Sequence, residues 1–111
     1  MADKKTTITE EKLKHYFDVT SRAIKKVKIV EEGQIDFKEA AHDFFDMASR
    51  YFQDAEFFEK QGDKVNAFAA LNYAHGWLDA GARLGLFDVD ADNVLFTVDK
   101  EHAEKLKQKK E

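Results

Sequence analysis

The chain has 111 residues, a net charge of −4, and neither cysteine nor proline. This length fits one domain, and the interspersed charges argue against a dedicated nucleic-acid binder, which normally carries a basic stripe. Without cysteine there is no disulfide, no thiolate metal site and no cysteine nucleophile. No apolar run approaches the roughly 20 residues of a membrane span, and the N-terminus lacks the apolar core of a signal peptide. A cytoplasmic location and no membrane partner are the expectation.

The first predicted helix begins after Thr9, a suitable N-cap that is followed by two glutamates. Apolar residues then recur at steps of three and four, which indicates one stripe on an amphipathic helix. Gly33 is the predicted stop of this helix. The stripe consists of Leu13, Tyr16, Phe17, Thr20, Ala23, Ile24, Val27 and Val30.

The second predicted helix is capped by Asp36 and ends at Gly62. Asp63 caps the third helix almost at once, so the two helices should form an antiparallel hairpin. One apolar face of the second helix covers a little under half of its circumference. That face consists of Phe37, Ala40, Ala41, Phe44, Phe45, Ala48, Tyr51, Phe52, Ala55 and Phe58.

The third predicted helix runs from about Lys64 to Leu84 and stops at Gly85. It is rich in small residues, and glycines within a helix are unfavourable by about 1 kcal/mol relative to alanine. Gly76 and Gly81 therefore predict sites where another backbone comes close. The apolar arc of this helix is wider than a three-helix bundle needs. Its flank predicts a homodimer interface at Tyr73, Trp77 and Leu84.

The pattern changes after Gly85. Residues 90–93 read as a loop, and residues 94–98 read as a short extended segment. Asp99 is positioned to cap a last, highly charged helix over Lys100–Lys110, which has little to bury. We expect a single domain over residues 1–111, with a bundle over about 9–85 and an appendage over about 86–111.

A polar stripe on the third helix is the main candidate for a chemical site. It comprises Asn72, His75, Asp79 and Arg83, which fall within a narrow arc. As a ligand site, His75 would act as acid or base, Asp79 would orient it and Arg83 would hold an anion. As structure, the same residues form hydrogen bonds and ion pairs between successive turns. The structural interpretation is favoured, and no catalytic residue is predicted.

The segment 88–99 partly fits a calcium-binding loop. Asp88, Asp90, Asp92 and Asp99 occupy loop positions one, three, five and twelve, with Leu95 at the apolar eighth position. However, the usual turn glycine is an asparagine, and the usual bidentate glutamate is an aspartate. The alternative is an acidic loop in which aspartate and asparagine make turns. We predict no bound metal and no cofactor.

Three motifs resemble the archaeal domain-of-unknown-function family 357. They are Tyr51-Phe-Gln-Asp-Ala55, Gly62-Asp-Lys-Val-Asn-Ala67 and Ala70-Leu-Asn-Tyr-Ala-His-Gly-Trp-Leu-Asp-Ala-Gly-Ala-Arg-Leu-Gly-Leu-Phe87. The resemblance covers the three predicted helices, about the first four-fifths of the chain. It implies an up-and-down three-helix bundle in an archaeal cytoplasm, and it implies no activity and no catalytic residues.

The sequence therefore predicts an all-α, three-helix up-and-down bundle with a C-terminal acidic loop and charged tail. The predicted function is a non-catalytic interaction module that self-associates and contacts a protein partner of unknown identity. The alternative is an enzyme or a nucleotide- or RNA-handling protein that uses the stripe of His75, Asp79 and Arg83.

Overall fold

A computed structural model of the chain describes residues 6–97. Within that range there are three α-helices: α1 (Glu10–Lys26), α2 (Phe37–Lys60) and α3 (Lys64–Leu84). Residues 6–97 contain no β-strand. The predicted all-α class with three helices is confirmed.

The helices begin where short polar side chains cap them. The side chains of Thr9, Asp36 and Asp63 each accept a hydrogen bond from the backbone N–H three residues later, at 2.9–3.1 Å. Each cap thus satisfies one of the N–H groups that lack a partner within the helix. α3 ends at Gly85, whose φ of 84° is the left-handed conformation typical of a helix stop. These four boundaries confirm the sequence prediction.

α2 and α3 form the packed part of the molecule. They are joined by a tight turn at Gly62, with φ of 75°, and close backbone contact between helices of the described residues is confined to this pair. The buried part of their contact is made by small side chains, which let the two helices approach closely. We call this contact the seam; it consists of Ala48, Ala55, Ala67, Ala70 and Ala74, which are the buried apolar residues of the described range.

α1 lies apart from this hairpin. None of its residues is buried, and all except the half-buried Lys12 are exposed. A hydrogen bond of 3.3 Å from Lys12 Nζ to Asn66 Oδ1 connects α1 to the start of α3. The large apolar side chains of α1 therefore contribute nothing to the seam.

α1 is also shorter than predicted. It ends at Lys26, and Val27 takes an extended conformation with ψ of 147°, so the predicted continuation through Val30 to Gly33 is wrong. Three of the four residues after Lys26 are β-branched (Val27, Ile29 and Val30), and β-branched residues have a lower helix propensity. All three are exposed, so no packing offsets that preference. Residues 27–36 form an irregular linker.

The prediction that another backbone comes close to Gly76 and Gly81 is wrong. A Cβ placed at Gly76 would meet nothing within 4 Å, whereas one placed at Gly81 would overlap the aromatic ring of Phe87. Gly81 therefore accommodates a side chain that folds back after the helix end: the atoms nearest to its built Cβ belong to the Phe87 ring and not to another backbone. The Leu86 N–H donates to the Gly81 carbonyl at 2.8 Å, which fixes this return of the chain.

The C-terminal segment contains no β-strand from Leu86 to Thr97. Residues 94–97 form turns and bends, so the predicted extended segment is wrong for that stretch. Its turns are closed by Asp92 Oδ1, which accepts from the Val94 and Leu95 N–H groups, both at 2.9 Å. Val98, Asp99 and the predicted helix over Lys100–Lys110 lie outside the described residues.

Candidate functional site

The α2–α3 hairpin has two sides, one on each side of the seam. On α3, Leu71 and Tyr73 are two residues apart, which places them about 200° apart around the helix axis. A residue three, four or seven positions along the helix from Leu71 lies on the same side as Leu71, and the same spacing relates residues to Tyr73. The two sides of the hairpin therefore carry different side chains and are described in turn.

The first side is an open groove of about 750 Å³ between α2 and α3. Its floor includes the seam residues Ala48 and Ala74. Phe52 is 51% exposed and Phe68 is 66% exposed, so large apolar side chains flank the floor and face solvent. The groove is lined by Phe45, Ala48, Ser49, Phe52, Gln53, Glu56, Phe68, Leu71, Asn72, Ala74, His75 and Leu78.

The second side is an aromatic flank, formed by Phe44, Tyr51, Tyr73 and Trp77. Tyr51 and Tyr73 pack edge to face with ring centroids 4.4 Å apart. Trp77 packs in the same manner on Phe44, at 5.0 Å. These contacts tie the two helices together outside the seam.

Two of the three residues predicted as an interface belong to this flank. Tyr73 is 51% exposed, while Trp77 is half-buried. Leu84 lies seven residues beyond Trp77, on the same side of α3, and is 49% exposed. The flank therefore keeps accessible apolar surface, but less of it than the groove.

A third apolar surface lies on α1. We call it the α1 stripe; it consists of Leu13, Tyr16, Phe17, Thr20 and Ile24, which recur at helical spacing. Phe17 is 69% exposed and Ile24 is 68% exposed. Side chains of this size at this spacing normally pack against another element, yet the described part of the chain leaves them exposed.

The structure places two residues of the predicted polar stripe close together. His75 Nε2 and Asp79 Oδ1 lie 3.8 Å apart. Asn72 instead donates from Nδ2 to the Phe68 carbonyl of its own helix, at 3.1 Å. Arg83 is exposed and lies in the last turn of α3. Asn72 and His75 also line the groove.

Asp79 has a partner that the sequence does not suggest. Its Oδ1 accepts from the Thr97 N–H at 2.8 Å, and its Oδ2 accepts from the Thr97 hydroxyl at 2.9 Å. The neighbouring Phe96 ring stacks on His75, with centroids 6.2 Å apart. Both side chains thus hold the C-terminal segment against α3. Use of the polar stripe as a ligand site stays a prediction, and a ligand that needs the Asp79 carboxylate would have to displace Thr97.

In the acidic loop, the side chains of Asp88 and Asp92 accept hydrogen bonds from backbone N–H groups of nearby residues. Asp88 Oδ1 accepts from the Asp90 N–H at 3.1 Å, and Asp92 closes the turns described above. Asp90 and Ala91 take positive φ angles of 56° and 57°, which asparagine and aspartate tolerate better than most residues. Asp99, the fourth predicted ligand, lies outside the described residues. Residues 6–97 hold no group of three histidine or carboxylate side chains placed to bind a metal ion.

The fold and these surfaces define a small all-α protein built from a helical hairpin and a separate amphipathic helix. The chain belongs to a family of proteins of unknown function, DUF357, whose family model matches residues 15–87. That span runs from the middle of α1 through α2 and α3 to Phe87, which confirms the resemblance noted in the sequence. An archaeal source stays a prediction.

No curated protein and no solved structure matches the chain. Of the helices formed within residues 6–97, none is long and apolar enough to cross a membrane.

Proposed function

We propose that this protein is a non-catalytic interaction module that self-associates in the cytoplasm. The observation that carries the proposal is the mismatch between what the chain buries and what it exposes. Its buried apolar residues in the described range are five alanines, while phenylalanines at positions 17, 45, 52 and 68 are each more than half exposed. A core of alanines supplies little of the apolar burial that normally stabilises a domain.

The exposed apolar surface is contiguous enough to bind another molecule. Aromatic side chains cover about 150–250 Å² each, so Phe45, Phe52 and Phe68, at 59%, 51% and 66% exposure, leave roughly 300 Å² uncovered along the groove. A patch of that size is within the range of the largest apolar patch on a monomer, which is often functional, and this chain exposes the α1 stripe as well. The predicted interface residues Tyr73, Trp77 and Leu84, on the other side of α3, form a second candidate surface.

Sedimentation equilibrium over a wide concentration range tests self-association. We expect a mass that approaches twice 12.8 kDa as the concentration rises. We also expect the melting temperature to rise with concentration, because association stabilises the folded state by mass action. A monomer at the highest concentration, with a melting temperature independent of concentration, would contradict the proposal.

Two adjacent substitutions provide a matched test of the groove. Phe68 lines the groove and Ala69, the next residue, is exposed on α3 but does not line it. Phe68→Asp should weaken self-association at least tenfold, since a large apolar anchor is replaced by a charge. Ala69→Asp introduces the same charge one position later and should leave association within about twofold of wild type. Equal effects of the two substitutions would show that the groove is not the surface used.

A further inference from the structure

Two of the exposed apolar surfaces, the groove and the α1 stripe, have complementary shapes. The groove is a concave surface between two helices, and the α1 stripe is the apolar face of a single helix. The two surfaces have the same length along the helix axis, about 16 Å at a rise of 1.5 Å per residue. The stripe runs from Leu13 to Ile24, and the α2 side of the groove runs from Phe45 to Glu56. Seating the stripe in a groove would cover both surfaces at once.

The charges of the two elements are complementary. α1 carries five basic and three acidic side chains, whereas α2 carries six acidic and three basic ones. Glu56 lies at the groove itself. A basic amphipathic helix therefore fits this groove better than a second acidic α2 does, and packing groove against groove would leave both α1 stripes exposed.

The groove does not face the α1 of its own chain. Lys12 is hydrogen-bonded to Asn66, and Asn66 precedes Tyr73 by seven residues, which is close to two full turns of α3. Asn66 thus lies on the side of the aromatic flank, about 160° around the helix from Phe68. α1 is tethered on that side, whereas the groove opens on the other.

We propose that two copies of this chain exchange their first helices, so that the stripe of each α1 docks in the α2–α3 groove of the other copy. The inference rests on the proposed self-association and names its mechanism. The irregular linker of residues 27–36 can span up to roughly 33 Å when extended, which allows α1 to reach a neighbouring hairpin. The two contacts are equivalent under a two-fold axis, so the assembly closes as a dimer.

The area available suits a stable dimer. Each groove and each stripe exposes roughly 300 Å² of apolar surface, counting about 150–250 Å² for each fully exposed aromatic side chain and adding the exposed aliphatic side chains of the stripe. Two contacts, each with two such surfaces, bury about 1,200 Å² in total. That value is at the lower end of the range for specific, stable interfaces. A single contact would bury half of it, in the range of weak or crystal contacts.

Thiol cross-linking of the full chain tests the exchange, because the natural sequence has no cysteine. Thr20→Cys places a thiol at the middle of the α1 stripe, and Ser49→Cys places one in the groove. The two single variants are mixed, equilibrated and treated with a short bismaleimide. We expect a covalent dimer that joins position 20 of one chain to position 49 of the other, identified by peptide mass spectrometry.

Two controls distinguish docking between two chains from docking within one chain and from non-specific cross-linking. His15→Cys lies on the polar side of α1 and should give at most a tenth of the adduct with Ser49→Cys. The double variant Thr20→Cys with Ser49→Cys, diluted with an excess of wild type, reports docking within one chain. An adduct found only within single chains would overturn the exchange, and so would the absence of an adduct in a sample that sedimentation shows to be dimeric. In the latter case self-association stands, whereas a monomeric sample contradicts both proposals.

A second measurement does not depend on cross-linking geometry. Phe17→Asp removes an anchor of the stripe that is exposed in the single chain, so the far-ultraviolet circular dichroism of dilute protein should stay unchanged. We expect the dimer dissociation constant to rise at least tenfold. His15→Asp adds the same charge on the other side of α1 and should change it less than twofold. Equal dissociation constants for Phe17→Asp and wild type would overturn the exchange.

Discussion

α1 and the α2–α3 hairpin are both well-capped helical elements, but only the hairpin is packed. The hairpin meets through alanines, with Ala74 only 4% exposed, whereas α1 presents Phe17 at 69% exposure. The difference shows that capping and spacing decide where a helix forms, while small residues at facing positions decide which helices approach closely within the chain. The large apolar side chains of α1 would be buried only by a partner surface, and the described part of one chain contains no such surface in contact with them.

Filling the seam is one of the two largest expected effects. Ala74→Leu inserts three carbon atoms where α2 and α3 meet, and overpacking of this kind is unfavourable by about 1–3 kcal/mol. Ala23→Leu makes the same change on exposed α1 and should alter the free energy of unfolding by less than about 0.5 kcal/mol. Urea unfolding of both variants measures the contrast. Equal losses would mean that α1 is packed as tightly as the hairpin.

The N-cap of α3 should contribute more to the free energy of unfolding than the N-cap of α1 does. Asp63 is buried and accepts from both the backbone N–H and the side-chain Nδ2 of Asn66, at 3.0 and 2.7 Å. Asp63→Ala should therefore destabilise the fold by about 2 kcal/mol. Thr9→Ala should fray only the start of α1 and leave the urea midpoint nearly unchanged. A comparable shift of the midpoint for both variants would contradict the separation of the two regions.

The two glycines of α3 should respond in opposite directions. Gly81→Leu meets the Phe87 ring and should destabilise by about 1–3 kcal/mol. Gly76→Ala meets nothing and should stabilise by up to about 1 kcal/mol, which is the difference in helix propensity. Denaturant midpoints measure both. A harmless Gly81→Leu would show that the return of the chain at Phe87 is not tightly packed.

The smallest expected effect is at the contact between α3 and the C-terminal segment. Thr97→Val removes the hydroxyl that donates to Asp79 Oδ2 and should cost about 1 kcal/mol or less. The loss should be local, so amide exchange should accelerate in residues 86–97 and stay unchanged in the seam. Unaltered exchange in that segment would mean that the hydroxyl contributes nothing to its attachment.

Much of the fold follows from local chemistry and was predictable. Thr9, Asp36 and Asp63 cap helices because a short polar side chain reaches an N–H three residues away, and Gly85 stops a helix because it adopts a positive φ. The end of α1 was not predictable in this manner. The apolar pattern continues through Val27 and Val30, and only the lack of a packing partner lets their β-branched preference prevail.

Contacts that helical spacing does not describe account for the other errors. Thr97 and Asp79 are 18 residues apart, and no spacing rule relates two such positions. Phe87 is close to Gly81 in sequence, but it lies beyond the end of α3, where helical spacing no longer relates one position to another. The sequence does not reveal the groove, because its residues belong to two helices and their spacing also fits a core within one chain. Only their exposure in the folded chain distinguishes a core from a docking surface.

Amide hydrogen exchange at two protein concentrations tests the central claim most directly, because it compares the two regions in one sample. In dilute solution the seam amides around Ala70 and Ala74 should exchange slowly, while α1 amides around Phe17 exchange fast. At the higher protein concentration the α1 amides should exchange more slowly, since a second copy then covers the α1 stripe. The exchange rates of the seam amides should change little. Protection of α1 that is already complete at the lowest concentration, and independent of concentration, would contradict the account.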